Sequence, residues 1–337
     1  MENEDYYPHP NTNADIYRNM TAADRGTISD KHLQFLSIYD DNTAILGGSN
    51  FIDRYWSGTV WLFTKNINYE RKNAAVTTRT ESAVCDGDFL NHSKFIVAED
   101  SGVIQIFEVS KSSDTWKPTI NCSAYVCQHD DGITSLAVFN NKLNFVTCGM
   151  DYCIKLWEAS ELVAEHSYSF AHTNIITSVD VKPASDSVFI STSLDCEAVV
   201  WDVRESKPAT GVFKSEGNGL TAVAWDPSNE HNVAIGALDG SIILIDTREP
   251  NKIVSESIAF PRPVHKLNFH PKNNWLAGCC DDSVVKILDP MKELIELYKD
   301  TQHKDFVRDV AWQKDELLTC SWDDTVLKHN FPSTKIE

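Results

Sequence analysis

The sequence predicts an all-β fold, a closed ring of seven four-stranded sheets known as a seven-bladed β-propeller. The first observation is a segment that recurs about every 44 residues along the 337-residue chain. Each copy begins with a small or acidic turn residue and continues with alternating apolar residues. A large residue stands six positions after the turn residue. The seven copies end near Phe63, Phe107, Trp157, Trp201, Ile245, Leu288 and His329. The second observation is an apolar run ahead of each of the last five copies, at residues 133–138, 176–181, 220–225, 264–269 and 307–312.

Two of these segments carry a more specific pattern. Asp151 is followed six positions on by Trp157, and Asp195 by Trp201. A repeat of about 40–45 residues with this ending is typical of WD40 propeller blades, each of which supplies four strands. Seven such repeats occupy nearly the whole chain, so we predict one propeller over residues 16–333 after a flexible acidic tail at residues 1–15.

The first and last blades depart from the repeat. In blade 1, residues 33–39 and 43–48 are predicted strands, and a longer loop over residues 49–56 precedes a third strand at 59–63. In blade 7 only eight residues follow His329, so its fourth strand must come from elsewhere. We expect the apolar positions of segment 16–20, Ile16, Tyr17 and Met20, to supply it, because closure removes an exposed sheet edge.

Bulk composition restricts the class of protein. No run of 18 apolar residues is present, which excludes a predicted membrane-spanning helix. The formal charge of −19 argues against direct nucleic-acid binding, which needs a basic surface. It either favours basic partners or only maintains solubility. Nine scattered cysteines without a C-x-x-C pair indicate neither a metal site nor a disulfide framework. We therefore expect no cofactor and a reducing compartment, cytoplasmic and nuclear.

Histidine, hydroxyl, aspartate and tryptophan residues recur at fixed spacing in three blades. The sets are His129, Thr147, Asp151 and Trp157; His172, Ser191, Asp195 and Trp201; and His303, Thr319 and Asp323, where His329 replaces tryptophan. One interpretation is a catalytic triad. The other is a structural tetrad. It ties the loop leading into a blade to the b–c turn, which joins the second and third of the four strands, lettered a to d, of that blade. Recurrence in three blades favours the tetrad, since an enzyme needs one site, and we predict that the chain is not an enzyme.

The irregular loop of blade 1 is the strongest candidate for binding a partner. It contains Phe51, Arg54, Tyr55 and Trp56, which are residue types enriched at the centres of protein interfaces. Phe51 or Tyr55 could instead cover the blade, whereas Trp56 is predicted to be exposed. The same face of the ring carries acidic turns such as Asp130-Asp131 and Asp281-Asp282, which are also ordinary turn residues.

The chain resembles one family of WD40 proteins, the methylosome WD-repeat subunits that accompany the type II protein arginine methyltransferase. The resemblance covers most of residues 30–330 and is carried by stretches that ordinary WD40 repeats do not share. These stretches are Trp-Ser-Gly-Thr-Val-Trp-Leu-Phe from Trp56, Trp-Asp-Val-Arg-Glu-Ser-Lys-Pro-Ala from Trp201 and His-Lys-Asp-Phe-Val-Arg-Asp from His303.

The resemblance implies a non-catalytic scaffold that docks on the methyltransferase in a hetero-oligomer and helps to present arginine-rich substrates such as histone tails and Sm proteins. It implies that Trp56 is the docking residue and that Asp100 and Tyr298 are further contacts. Tyr298 stands where the family is expected to carry phenylalanine. The alternative is a different WD40 adaptor, such as a chromatin or ubiquitin-ligase receptor, that binds a peptide in its central channel.

Overall fold

The structure, a computed structural model, describes residues 30–50, 56–65, 69–111 and 118–330. Within these residues the chain forms seven antiparallel sheets, six with four strands and one with three. Each sheet is built from consecutive strands, so the order in space follows the order in sequence. The predicted all-β, seven-bladed propeller is therefore confirmed.

The strands are numbered in chain order. Blade 1 contains β1 (His32–Ile38), β2 (Ala44–Asn50), β3 (Ser57–Phe63) and β4 (Val76–Thr80). Blade 2 contains β5 (Val84–Asn91), β6 (Lys94–Glu99), β7 (Val103–Lys111) and β8 (Pro118–Cys127). Blade 3 contains β9 (Ile133–Val138), β10 (Asn144–Gly149), β11 (Ile154–Glu158) and β12 (Val163–Tyr168). Blade 4 contains β13 (Ile176–Val181), β14 (Val188–Ser193), β15 (Glu197–Asp202) and β16 (Ala209–Lys214).

The remaining blades follow the same plan. Blade 5 contains β17 (Leu220–Trp225), β18 (Asn232–Ala237), β19 (Ser241–Asp246) and β20 (Ile253–Ile258). Blade 6 contains β21 (Val264–Phe269), β22 (Leu276–Cys280), β23 (Val285–Asp289) and β24 (Ile295–Asp300). Blade 7 contains β25 (Val307–Gln313), β26 (Glu316–Ser321) and β27 (Val326–His329). Two single-turn 3-10 helices, Arg71–Asn73 and Pro290–Lys292, are the helical elements among the described residues, which include no helix able to span a membrane.

The first strand of each blade faces the axis of the ring. These seven inner strands contact one another in sequence from β1 to β25, and β1 also contacts β25. Blade 1 therefore packs directly against blade 7. Trp61 of β3 lies in this junction, 5% exposed, in a cluster with Ala311 and Leu318 of blade 7. The predicted position of Trp61 between blades is confirmed.

The fourth strand of blade 7 is not among the described residues. β25, β26 and β27 form a three-stranded sheet there, and segment 16–20, the predicted strand donor, lies outside the described residues, as does the tail at 1–15. Donation of that strand by the N-terminal segment stays a prediction.

The second strand of blade 1 extends further than the sequence predicts. β2 includes Ser49 and Asn50, both buried, and Asn50 pairs with Ser57 of β3. The Ser49 hydroxyl accepts a hydrogen bond from the Val84 backbone N–H at 3.0 Å. Ser49 is polar but can remain in the strand because it forms a hydrogen bond with the neighbouring blade. Since β2 ends at Asn50, the connection to β3 is shorter than the loop predicted at residues 49–56.

Carboxylates on the inner strands also tie neighbouring blades together. Three backbone N–H groups donate to aspartates of another blade: Leu136 to Asp86 at 3.0 Å, Trp225 to Asp180 at 2.7 Å and Leu36 to Asp309 at 2.7 Å. Burial raises the pKa of Asp180 and of Asp309 to about 6. Lys266 of β21 lies among these carboxylates, with its Nζ 3.7 Å from Asp86 Oδ2.

Candidate partner-binding face

The polar tetrad of blade 3 is a buried chain of hydrogen bonds. His129 Nδ1 donates to Asp151 at 2.8 Å, and the Thr147 hydroxyl donates to His129 Nε2 at 2.8 Å. Trp157 Nε1 in turn donates to the Thr147 hydroxyl at 2.8 Å. Burial alone would raise the pKa of Asp151, but hydrogen bonds from the His129 ring and from the backbone N–H groups of Cys153 and Asp130 outweigh it and lower that pKa. The chain links the loop before β9 to strands β10 and β11.

Blade 4 repeats this arrangement with a serine as the hydroxyl group. His172 Nδ1 donates to Asp195 at 2.9 Å, the Ser191 hydroxyl donates to His172 Nε2 at 2.8 Å, and Trp201 Nε1 donates to Ser191 at 2.9 Å. A catalytic nucleophile has to reach its substrate. Ser191 is fully buried, as are the equivalent threonines of blades 3 and 7. The geometry therefore fits structural tetrads and does not fit a catalytic triad whose nucleophile can reach a substrate.

In blade 7, His329 occupies the position of the tryptophan and completes the tetrad. His303 Nδ1 donates to Asp323 at 3.0 Å, and the Thr319 hydroxyl donates to His303 Nε2 at 2.8 Å. With its proton thus engaged, Thr319 accepts from His329 Nε2 at 2.8 Å. Burial lowers the pKa of His329 to about 4, against the nearby Asp300 carboxylate, which raises it.

Tyr298, one of the predicted partner contacts, is attached to this tetrad from blade 6. Its hydroxyl lies 3.2 Å from His329 Nδ1 and 3.2 Å from Asp300 Oδ2, and both atoms can accept its proton. The side chain is half-buried on the outer strand β24. The structure thus places Tyr298 in a link between blades 6 and 7, away from Trp56, and its part in binding a partner stays a prediction.

The b–c turns surround one mouth of the central channel. A cavity of about 470 Å³ opens there, and one residue from each inner strand forms its inner layer. These seven residues are Gln34, Cys85, Thr134, Thr177, Thr221, His265 and Arg308. A second cavity of about 480 Å³ opens at the a–b turns, where Pro183, Pro227 and Pro271 line it. Asp86, Ser178 and Lys266 border both cavities and so mark the waist between them.

Trp56 stands at the rim of the first cavity. Its side chain is 53% exposed, as predicted for a residue available to a partner, and it lines the mouth of the channel. Phe51, Arg54 and Tyr55, the other candidates from this loop, lie outside the described residues.

Asp100, the remaining predicted contact, lies on the same rim in the b–c turn of blade 2. It lines the cavity together with Trp56, and its carboxylate accepts a hydrogen bond from the Ser82 hydroxyl. Beneath it, Glu99 is 1% exposed and accepts from Gln105 Nε2 at 2.5 Å. Burial raises the pKa of Glu99 to about 7. The structure therefore brings Asp100 and Trp56 to one site and leaves Tyr298 in another.

Sequence reasoning missed the residues that complete this rim. Trp322 lies in the b–c turn of blade 7, and the Arg308 guanidinium packs over its ring at 5.0 Å from the centroid. Arg308 also pairs with Asp281 at 3.0 Å. A simple signal was available, because the rim residues directly precede the repeating seven-residue segments. They are Trp56, Asp100, Met150, Leu238, Asp281 and Trp322.

Comparison with known families identifies the repeats. The profile of the family "WD domain, G-beta repeat" matches residues 120–158, 164–202, 257–289 and 295–328. The chain is a seven-bladed β-propeller in which four segments match the WD40 repeat. Each matched segment begins in the outer strand of one blade and ends in the third strand of the next, so every matched repeat spans a junction between two blades.

Among curated proteins, this propeller is similar to "Methylosome protein WDR77" of Xenopus laevis. The two are 28% identical over 298 residues, which cover 87% of each chain. It is also 26% identical over 157 residues to the "WD repeat-containing protein 53 homolog" of Dictyostelium discoideum, covering 44% of this chain and 42% of that one. "Protein valois" of Drosophila melanogaster is 23% identical over 203 residues, covering 56% and 54%. The predicted resemblance to methylosome WD-repeat subunits is confirmed, and fold and relatives together fit a non-catalytic scaffold.

Proposed function

We propose that the chain is a non-catalytic scaffold subunit of an arginine methyltransferase complex. It docks on a type II protein arginine methyltransferase through Trp56 and helps to present arginine-rich substrates, such as histone tails and Sm proteins. The observation that carries the proposal is the exposed Trp56 on the b–c face of a propeller that is similar to a methylosome protein over 87% of its length. The complex acts in the cytoplasm and the nucleus, without direct contact to nucleic acid or membrane.

Physical chemistry supports Trp56 as the anchor. An indole that is 53% exposed leaves a large apolar ring in water, and burial in a partner's pocket gains that area with few rotatable bonds. Asp100 beside it supplies a carboxylate at the edge of the same contact. The negative charge of the chain favours the approach of basic, arginine-rich segments.

The test is capture of purified methyltransferase by immobilised Trp56→Ala protein. Truncation of an interface anchor costs about 2 kcal/mol or more, which corresponds to an affinity loss of about thirtyfold. Phe170→Ala is the matched control, because Phe170 is an aromatic residue, 80% exposed, in the loop that leads into blade 4. We expect capture to be lost with Trp56→Ala and kept with Phe170→Ala, while circular dichroism and melting temperature match the wild type.

Retention of full binding by Trp56→Ala, or collapse of its fold, would show that Trp56 is not the anchor. The alternative, a different WD40 adaptor such as a chromatin or ubiquitin-ligase receptor, predicts that affinity purification from the source cells yields no methyltransferase. Fractionation of the same cells tests the proposed cytoplasmic and nuclear localisation.

A further inference from the structure

We propose that β8, the outer strand of blade 2, is a self-association edge that pairs antiparallel with β8 of a second copy of this chain. β8 is the last strand of its sheet, and its outer edge pairs with no other strand among the described residues. The pairing joins blade 2 of both copies into one sheet about a two-fold axis. The inference goes beyond the docking of a methyltransferase, because this edge lies at the circumference of the ring, away from the channel mouth.

The β7–β8 hairpin is longer than its counterparts in the other blades. β7 contains 9 residues and β8 contains 10. Within the described residues, the third strands of the other blades contain 4–7 residues and the fourth strands 5–6. Blade 2 therefore presents a longer free edge than the other blades do.

The additional length forms a regular edge. A bulge at Ser123 interrupts the pairing of β8 with β7, and the fourth strands of blades 3 and 6 carry a bulge at the equivalent place. Ahead of the bulge, β8 has the five residues of Pro118–Cys122, whereas those two strands have two residues each. Five extended residues span about 17 Å. Thr119, Asn121 and Cys122 are exposed along this stretch.

β8 also lacks the charges that usually protect an outer strand. Charged side chains on an edge strand oppose its pairing with another chain. The ten residues of β8, Pro-Thr-Ile-Asn-Cys-Ser-Ala-Tyr-Val-Cys, include no charged residue. Each of the other five outer strands that the structure describes carries at least one, such as Arg79, Glu165, Lys214, Glu256 and Lys299.

The absence of charge favours a second copy as the partner. When a strand pairs antiparallel with its own copy, its charges come close to the same charges of that copy, and like charges opposite one another destabilise a sheet. Among the described outer strands, β8 is the one that avoids this repulsion. The two-fold pair uses the free edges of both copies, so assembly stops at the dimer.

The net charge of the chain sets the salt dependence of the contact. Two copies with a formal charge of −19 each repel one another, and salt screens this repulsion. An uncharged contact should therefore strengthen as salt rises, whereas a contact held by ion pairs would weaken. One pair of strands buries less area than a standard interface of about 1,600 Å², so we expect a weak dimer with a Kd on the order of 100 µM.

The experiment is sedimentation velocity of the full chain from about 5 to 500 µM, at low salt and at about 0.5 M salt. A reducing agent is present, because Cys122 and Cys127 are exposed on β8. We expect the average mass to rise from that of a monomer toward that of a dimer, and to do so at lower concentration when salt is high.

Two variants place the contact on β8. Thr119→Lys and Asn121→Lys should each weaken the dimer about tenfold, because each lysine enters the dimer twice and the two copies repel. A general effect of net charge predicts the opposite, since each lysine lowers the negative charge of the chain. Val163→Lys is the matched control: Val163 is 55% exposed at the start of β12, the outer strand of blade 3.

A chain that stays monomeric up to 500 µM at high salt would overturn the proposal and leave the edge to a strand of a different protein. Unchanged association of both β8 variants, an equal loss with Val163→Lys, or growth beyond the dimer would also overturn it. Both substituted side chains are exposed, so the variants should fold, which melting curves check. The isolated chain is used throughout, so the outcome does not depend on docking through Trp56.

Discussion

His329 should make the stability of the propeller sensitive to mild acid. It is 2% exposed, and burial lowers its pKa from the ordinary 6.5 to about 4. A lowered histidine pKa means that the unfolded chain binds the proton more readily than the folded one. The contribution of neutral His329 is therefore complete above pH 6.5 and is lost as pH falls toward 4. A difference of about 2.5 pKa units corresponds to about 3 kcal/mol at most.

The test substitution is His329→Gln, which keeps a side-chain N–H able to donate to Thr319 but does not titrate. Thermal melts of both proteins from pH 7.5 to 4.5 measure the difference in stability. Comparing the two proteins is necessary, because the raised pKa values of Glu99, Asp180 and Asp309 stabilise the folded state as pH falls and mask the histidine. We expect the wild type to lose stability relative to His329→Gln below about pH 6.5. A difference in melting temperature between the two proteins that stays constant from pH 7.5 to 4.5 would refute the assignment of a buried, neutral His329.

Three further predictions concern the fold. Trp61→Ala should lower the free energy of unfolding by about 3–5 kcal/mol, because the ring, 5% exposed, fills the junction of blades 1 and 7. Urea unfolding measures this loss. Asp195→Ala should cost about 1–3 kcal/mol, because it leaves buried His172 without an acceptor, whereas Glu205→Ala at an exposed site of the same blade should leave the melting temperature unchanged. Deletion of residues 1–30 should destabilise the propeller and promote self-association if that segment completes blade 7; a truncated chain that stays monomeric and melts as the full chain does would contradict the closure.

The periodic features of the fold could be predicted because they depend on local sequence. Alternating apolar residues specify the strands, and the spacing of histidine, hydroxyl, aspartate and tryptophan specifies the tetrads of blades 3 and 4. Features that join residues distant in sequence could not be predicted in this way. Tyr298 meets His329 across a blade junction, and Ser49 stays in its strand because it bonds Val84 of the next blade.

The candidate site shows the same division. Trp56 stands out in sequence as an aromatic residue in an irregular loop, and its exposure agrees with that prediction. The cation–π pair of Arg308 with Trp322 gives no sequence signal of its own, because Trp322 lies in an ordinary WD40 turn. Only the ring geometry brings the residue before the repeating segment to one rim, and it does so in six of the seven blades.

The waist of the channel has a consequence for how assemblies can form on this ring. Asp86, Ser178 and Lys266 line both cavities, and the Lys266 ammonium lies 3.7 Å from the Asp86 carboxylate. A polypeptide that followed the axis from one cavity to the other would have to pass this ion pair, and breaking a buried pair is costly. The two cavities open on opposite faces of the ring, so different molecules can occupy them at the same time. We therefore expect a ternary assembly on the two faces to form in either order of addition.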